Sequence, residues 1–504
     1  MSERSVTMGL LFYPRGGSAQ VIKYLAAALE GQGWSPELVC GSLGGPGERT
    51  HAQTFFDGMD VHAADYTPAV AAYERGEDPI AFDFPMHPSF EDRPGVPDRV
   101  FAAVSPELGD HLVDAWARFV APLEPELLHL HHVSPLQEAF GRAAPDVPLV
   151  THLHGTDMKM IDRIDRLEAL AGLHGTDLAG MADRAEAGDL PPLDAFPEEE
   201  RGLVTDTRWE QFRHGRHWAD RLRAAARASD GFIVISPHDR DEAKRLLGAE
   251  AAWIPNGVDT GLFDREELGH DERLTRWREW LVEDPRGWDE SGEPGSIRYS
   301  EEDIEALADP DAPVLLFVGR FLDFKRVPML VRAYAAARER FDRRAPLVIW
   351  GGFPGEWEGE HPHTVAKWLR VPDVFFAGWR GHSDLARGLP CCDVMVAPSE
   401  NEPFGQVFLE AMACGVPVIA TRSGGPLSFV NTEPGGPNGW MVGVDDQAEL
   451  ADAMVEAVND TEARRERSDN AYRQIRDNYS WTGLAPRFTA VYEEAAALTR
   501  RPAP

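Results

Sequence analysis

Glu402 and Glu410 stand with seven residues between them in the run Pro398-Ser399-Glu400-Asn401-Glu402-Pro403-Phe404-Gly405-Gln406-Val407-Phe408-Leu409-Glu410. An apolar stretch (Asp393-Val394-Met395-Val396-Ala397) precedes them, and Gly415 and a second apolar stretch ending at Thr421 follow. That order reads as strand, polar turn, short helix, glycine cap and strand. Glu402 then falls on the loop after the strand and Glu410 on the first helical turns. In open parallel sheets ligands bind at the carboxyl ends of the strands. A helix beginning near Phe404 and Gly405 offers an anion its backbone N–H groups and the positive end of its dipole. Carboxylates beside such a site repel phosphate and suit the hydroxyls of ribose and sugar. Arg320 and Lys325 follow another strand end, where a guanidinium fork and a point charge reach a phosphate that gains charge as it leaves. Gly16-Gly17, after the first strand, allows the backbone to approach the same kind of group, and the next helix adds its dipole. Two more strand ends carry histidines: His131 and His132 as substrate-lining candidates on one, and on the other His154 ahead of Gly155 with His152, which is expected to pack inward. Glu400 is expected to face solvent.

These residues need two sets of elements to hold them. Apolar runs at 6–13, 37–40, 127–131, 149–153 and 232–236, followed by the turn at 253–259, predict a first parallel sheet, with a helix over Ala19 to Leu29. Runs at 314–320, 347–350, 374–377 and 393–397 predict a second. Strands alternating with helices imply parallel sheets with helices on both faces. Residues 57–106, rich in Pro, Asp and aromatics, read as an irregular insertion, and 162–220 as a charged, mainly helical one. The acidic, Gly- and Pro-dotted stretch from Asp264 to Pro313 reads as a linker or surface excursion.

A chain of 504 residues exceeds one compact core, so two domains are expected. The formal charge of −34 argues against nucleic acid and anionic membranes as partners. Four cysteines without CxxC spacing argue against a metal site, and a reducing, cytoplasmic compartment is expected. Met1 to Thr7 lacks a signal-peptide pattern, and no apolar run has the length of a membrane span.

Several segments share the order of a known family. The Glu402–Glu410 segment resembles the Glu-x7-Glu signature of retaining glycosyltransferases of the GT-B architecture, family 4. Phe317-Val318-Gly319-Arg320 through Lys325 looks like the family's Gly-Arg…Lys segment. Ile254-Pro255-Asn256-Gly257-Val258-Asp259 is similar to its interdomain strand, and Tyr479-Ser480-Trp481 to the start of its returning C-terminal helix. Gly16-Gly17 sits where the family has a glycine loop, and Thr151-His152-Leu153-His154-Gly155-Thr156-Asp157 resembles its His-Gly element.

The resemblance implies an α/β GT-B fold, two Rossmann-like parallel-sheet domains facing an interdomain cleft. Its expected parts are 1–260 (acceptor side), 261–480 (nucleotide-sugar binding) and 481–504 (a returning helix). Glu410 would then hold ribose hydroxyls. Glu402 would hold a donor-sugar hydroxyl beside the N–H groups of Phe404 and Gly405, and would not act as a nucleophile. His154 would contact the sugar near C6. The implied reaction is sugar transfer from a UDP- or GDP-sugar to a small soluble acceptor, retaining configuration and without metal or resident cofactor. The His-Gly-Thr-Asp run at 154–157 resembles the thiol-cofactor branch of the family. Natural-product or thiol-cofactor biosynthesis is the implied setting, for a monomer or homodimer. A sugar-phosphate synthase or phosphorylase on the same fold, or a non-catalytic nucleotide-sugar binder, are the competing readings.

Overall fold

The computed structural model describes residues 4–402 and 404–499. Pro403 of the Glu402–Glu410 segment, the start of the Met1-to-Thr7 stretch and residues 500–504 lie outside them. Two parallel sheets form, each in its own compact unit. One unit runs to Pro255 and takes in the chain again from Ala485; the other is Asn256–Leu484.

The first sheet contains β1 (Arg4–Leu10), β2 (Trp34–Ser42), β3 (Asp60–Asp65), β4 (Leu128–His131), β5 (Leu149–Leu153), β6 (Gly231–Val234) and β7 (Ala252–Trp253), in the order β3-β2-β1-β4-β5-β6-β7. The second contains β8 (Leu315–Gly319), β9 (Leu347–Gly351), β10 (Val374–Gly378), β11 (Val394–Ala397), β12 (Val418–Thr421) and β13 (Gly439–Val442), in the order β10-β9-β8-β11-β12-β13. Every pairing is parallel. The central strands are buried along most of their length because helices cover both faces, which is why they read as continuous apolar runs. In each sheet the winding direction reverses once, between β1 and β4 and between β8 and β11. At such a switch point adjacent loops leave in opposite directions and a crevice opens at the strand ends.

The structure departs from the sequence expectations in three places. Residues 57–106 are not wholly irregular: Asp60–Asp65 pairs with β2 as the sheet edge, and Thr67–Glu74 is helical. An edge strand is half covered, and Asp-Val-His-Ala-Ala-Asp accordingly lacks an apolar run. β13 went unpredicted for a similar reason, being a four-residue edge strand behind a Gly- and Pro-rich segment. The stretch from Asp264 to Pro313 is no linker. His270–Arg278 is helical, and Trp277, Trp280, Leu281, Trp288, Ile304 and Leu307 are buried. Trp288 donates its indole N–H to the Gly352 carbonyl (2.9 Å), and Arg380 Nη2 donates to the Trp280 carbonyl (2.7 Å). Acidic residues between these anchors hide the apolar content.

The two insertions of the first unit are joined to each other. Trp218 donates its indole N–H to the Val104 carbonyl at 2.8 Å, and the His214 amide donates to Ala102 at 2.9 Å. Phe90 stacks at a tilt on Phe101, and its ring also meets Phe12 and His132, beyond the ends of β1 and β4. The insertion of 57–106 therefore forms one wall at the first switch point.

Candidate active site

In the second unit the candidate residues leave the strands that flank the switch point. The loop after β8 carries Arg320 and Lys325, and the loop after β11 carries Glu402, Phe404 and Gly405. Lys325 Nζ lies 2.5 Å from Glu402 Oε2, with side chains only 14% and 10% exposed. An ammonium has three N–H donors, so one on Glu402 leaves others for a phosphate oxygen. Arg320 is placed differently. Its side chain is 58% exposed and pairs with Glu356 at 2.8 Å, so the loop brings Lys325 but not Arg320 onto Glu402.

Arg326, which sequence reasoning passed over, fixes this arrangement. It adopts the left-handed region (φ 53°) and bonds Asp323 and Glu400 at 2.5 Å each and Asp445 at 2.8 Å. Glu400 is thus an anchor between the loops after β8 and β11, not simply a solvated carboxylate. Its backbone N–H also donates to the Phe324 carbonyl at 2.7 Å. A charged residue in the left-handed region leaves no signature in sequence, so nothing there singles out Arg326.

Gly405 caps the helix Gln406–Ala413 at φ 86°, and a Cβ there would meet Phe408 Cδ2 at 2.5 Å. Gly424 and Gly425, after β12, press backbone against backbone on this loop. A Cβ at Gly424 (φ 65°) would sit 2.3 Å from the Glu402 carbonyl oxygen, and one at Gly425 would sit 2.1 Å from that of Phe404. The Gly425 amide donates to the Glu402 carbonyl at 2.7 Å. Phe404 is buried against Phe429. Glu402 and the helix N-terminus thus form one rigid surface on which a carboxylate, an ammonium and backbone N–H groups converge. Glu410, one turn into the helix, is buried, and its Oε1 lies 2.9 Å from Nε2 of His382.

In the first unit, Gly16 and Gly17 open the helix Gly16–Glu30, with Gly16 at φ 72°, and a Cβ built at either meets no atom within 4 Å. The helix entrance is open toward its N–H groups. Arg15, just before it, bonds Asp98 and donates to the Tyr13 hydroxyl at 2.7 Å, tying the glycine turn to the 57–106 insertion.

Histidines from β4 and β5 form a buried stack. His131 Nδ1 and His154 Nε2 are 2.9 Å apart, His152 is fully buried as expected, and Tyr492 places its hydroxyl 2.6 Å from His129 Nδ1. Burial, reinforced for all but His129 by neighbouring imidazoles, holds these rings neutral: His129 is pushed down to about 3, and His131, His152 and His154 fall well below the ordinary imidazole range. Neutrality constrains the tautomer. His131 Nε2 is buried without a partner, and an orphaned lone pair costs less than an orphaned N–H. His131 therefore donates from Nδ1 to His154 Nε2, which leaves His154 with its proton on Nδ1 as a hydrogen-bond donor. Side-chain nitrogens of His129, His131 and His152 lie within 4.8 Å of one another. Their ring planes differ by only 13–39°, so the in-plane lone pairs run side by side instead of meeting at a point. Asp157, also unassigned from sequence, is buried and accepts from the Val133 amide at 3.1 Å, joining the turn after β4 to the helix Thr156–Leu173.

Among the described residues no helix is long and apolar enough to cross a membrane, and the four cysteines are free and buried.

Two parallel-sheet units, each with chemistry-bearing loops at its switch point, define the GT-B class. The comparisons agree: the glycosyltransferase from Rickettsia africae superposes with a TM-score of 0.60 at 12% identity, over 98% of this chain and 99% of that one. Anabaena Alr3699/HepE in complex with UDP and glucose gives 0.57 at 15% identity, over 97% and 99%. The pattern described as Glycosyl transferases group 1 matches residues 300–474, and that of Glycosyltransferase Family 4 matches residues 15–262. The chain belongs to the group 1 glycosyltransferases. It is 33% identical over 210 residues to the D-inositol 3-phosphate glycosyltransferase of Corynebacterium diphtheriae (41% of this chain, 48% of that one). It is 34% identical over 278 residues to D-inositol 3-phosphate glycosyltransferase 2 of Catenulispora acidiphila (53% and 57%). The chain spans about half the length of the curated relatives it matches.

Proposed function

We propose that this protein transfers a sugar from a nucleoside-diphosphate donor to a hydroxyl of a small soluble acceptor, with retention at the anomeric carbon. The observation that carries the reading is the Lys325–Glu402 pair at the N-terminus of Gln406–Ala413. A cation, a carboxylate and free helix N–H groups on one rigid loop suit a ligand that is anionic at one end and hydroxylated at the other. A sugar diphosphate is such a ligand.

In this reading Lys325, Arg320 and the Gly16-Gly17 turn stabilise the diphosphate as the bond from the anomeric carbon to its oxygen breaks. The acceptor oxygen bonds to that carbon on the same face, and the departing phosphate takes the acceptor's proton. Glu402 and the N–H groups at Phe404 and Gly405 hold a sugar hydroxyl, and Glu410 holds the ribose. His154 donates from Nδ1 to the sugar, with His131 fixing its tautomer. Positioning and preorganised charge carry the rate, without a resident metal or cofactor. The names of the curated relatives favour a hydroxyl-rich, phosphorylated acceptor, and the family resemblance favours cytoplasmic thiol-cofactor or natural-product assembly.

A thermal-shift panel of UDP, GDP and ADP, followed by donor and acceptor screening, tests the reading. UDP or GDP should raise Tm, and Lys325→Ala should lower transfer about a hundredfold to a thousandfold. No shift with any nucleotide would refute the reading, and dependence on inorganic phosphate as acceptor would redirect it to a phosphorylase.

A further inference from the structure

Glu410 is buried, yet His382, 30% exposed, stands beside it at the surface. His382 begins the helix His382–Gly388, which follows β10, while Glu410 lies on the helix after β11. Its ring is fixed on one side by the edge of Phe263, a fully buried residue, at 4.9 Å between centroids in a T-shaped contact. On the other, Nε2 lies 2.9 Å from Glu410 Oε1. A carboxylate only accepts, so Nε2 carries the proton and donates. Among the described residues Glu410 Oε2 makes no hydrogen bond.

We infer that His382 is a positioning residue that sets the rotation of the Glu410 carboxylate so that Oε2 receives the ribose hydroxyls of the donor nucleotide. The inference rests on the reading of Glu410 as the ribose ligand. A glutamate on a short helix has three side-chain torsions that must be held for two vicinal hydroxyls to find its carboxylate. A donor clamped by an aromatic edge holds them before the nucleotide arrives, so the ordering cost is met in the free protein. The device makes the preference for a ribonucleotide over its 2′-deoxy analogue depend on a residue that need not touch the nucleotide itself. His382 thereby acts on specificity rather than on the bond-breaking step.

The test compares binding of the best nucleoside diphosphate among UDP, GDP and ADP with binding of its 2′-deoxy form, by calorimetry, in the wild type, His382→Leu and His382→Gln. The wild type should favour the ribonucleotide. His382→Leu, which keeps an apolar group against Phe263, should weaken ribonucleotide binding about three- to tenfold, the range of one hydrogen bond. It should weaken the deoxy form less, since only the 3′-hydroxyl remains there to meet Glu410, so that most of the preference is lost. His382→Gln, whose amide can donate to Oε1, should restore part of it. In turnover His382→Leu should raise donor KM with kcat little changed. A wild type without ribose preference overturns the Glu410 reading and this inference together. A preference that survives in His382→Leu overturns this inference alone. Unfolding of His382→Leu shifts the decision to His382→Gln, where loss of the preference in a protein of wild-type Tm also overturns it.

Discussion

Nζ of Lys325 lies 2.5 Å from Oε2 of Glu402, joining the loop after β8 to the loop after β11. The pair is almost closed to solvent, so each partner depends on the other for its desolvation. Lys325→Ala leaves Glu402 buried without its cation and should lower stability by about 1–3 kcal/mol. In the proposed reading it should also lower kcat about a hundredfold to a thousandfold, the usual effect of removing one preorganised donor at developing charge. Glu402→Gln, which keeps the shape, should retain more stability than activity. Urea unfolding together with single-turnover transfer separates the two effects.

Arg320 provides the contrast. Its exposed pair with Glu356 contributes little to folding, as surface pairs generally do. Arg320→Ala should leave Tm within a degree or so. In the proposed reading it still lowers transfer, because the guanidinium turns from Glu356 to the diphosphate when donor binds. Unchanged kcat/KM in this variant would remove Arg320 from the reaction.

The glycines make a second contrast. Gly17→Ala meets open space and should fold normally, yet it should raise donor KM if the diphosphate rests on that turn. Gly424→Ala places a Cβ 2.3 Å from the Glu402 carbonyl oxygen at a positive φ, so it should cost about 1–3 kcal/mol and disturb Glu402 as well. Differential scanning calorimetry with donor titration distinguishes them.

The histidine stack gives a pH dependence with a definite sign. His129, His131, His152 and His154 have folded pKa values below the unfolded value of about 6.5, so below that pH the unfolded chain binds more protons. Their contribution is fully present above about pH 6.5 and is lost as the pH falls toward the folded values. Each histidine adds up to about 1.4 kcal/mol per pH unit in that window. Denaturant unfolding at pH 5 and pH 7 should show the first unit weakening on acidification, and His152→Gln should flatten the slope. A flat profile from pH 7 to 5 would contradict the burial argument.

Much of this was legible in the sequence wherever a single residue type is forced by its surroundings. β1, β8 and β11 are apolar because both sheet faces are covered, and Glu402, Gly405 and Glu410 are spaced by a strand end and a helix start. Pairings across distant segments left no such trace. Glu400 looked like a solvated charge because its partner Arg326 lies 74 residues away and needs a left-handed backbone to reach it. His382 and Glu410, 28 residues apart on different helices, carry no shared pattern either. Edge strands such as β3 escape for a different reason: half exposure removes the apolar run by which a strand is recognised.

The tryptophans of the acidic stretch set the limits of any separable piece of this protein. A fragment cut at Val314, where the second sheet begins, would keep every strand of that sheet. It would also strip Trp280 from beside Trp350 and Trp288 from beside Phe321, baring the apolar surface they cover. The smallest autonomous form of the second unit must therefore include the helix His270–Arg278 and the buried segment after it.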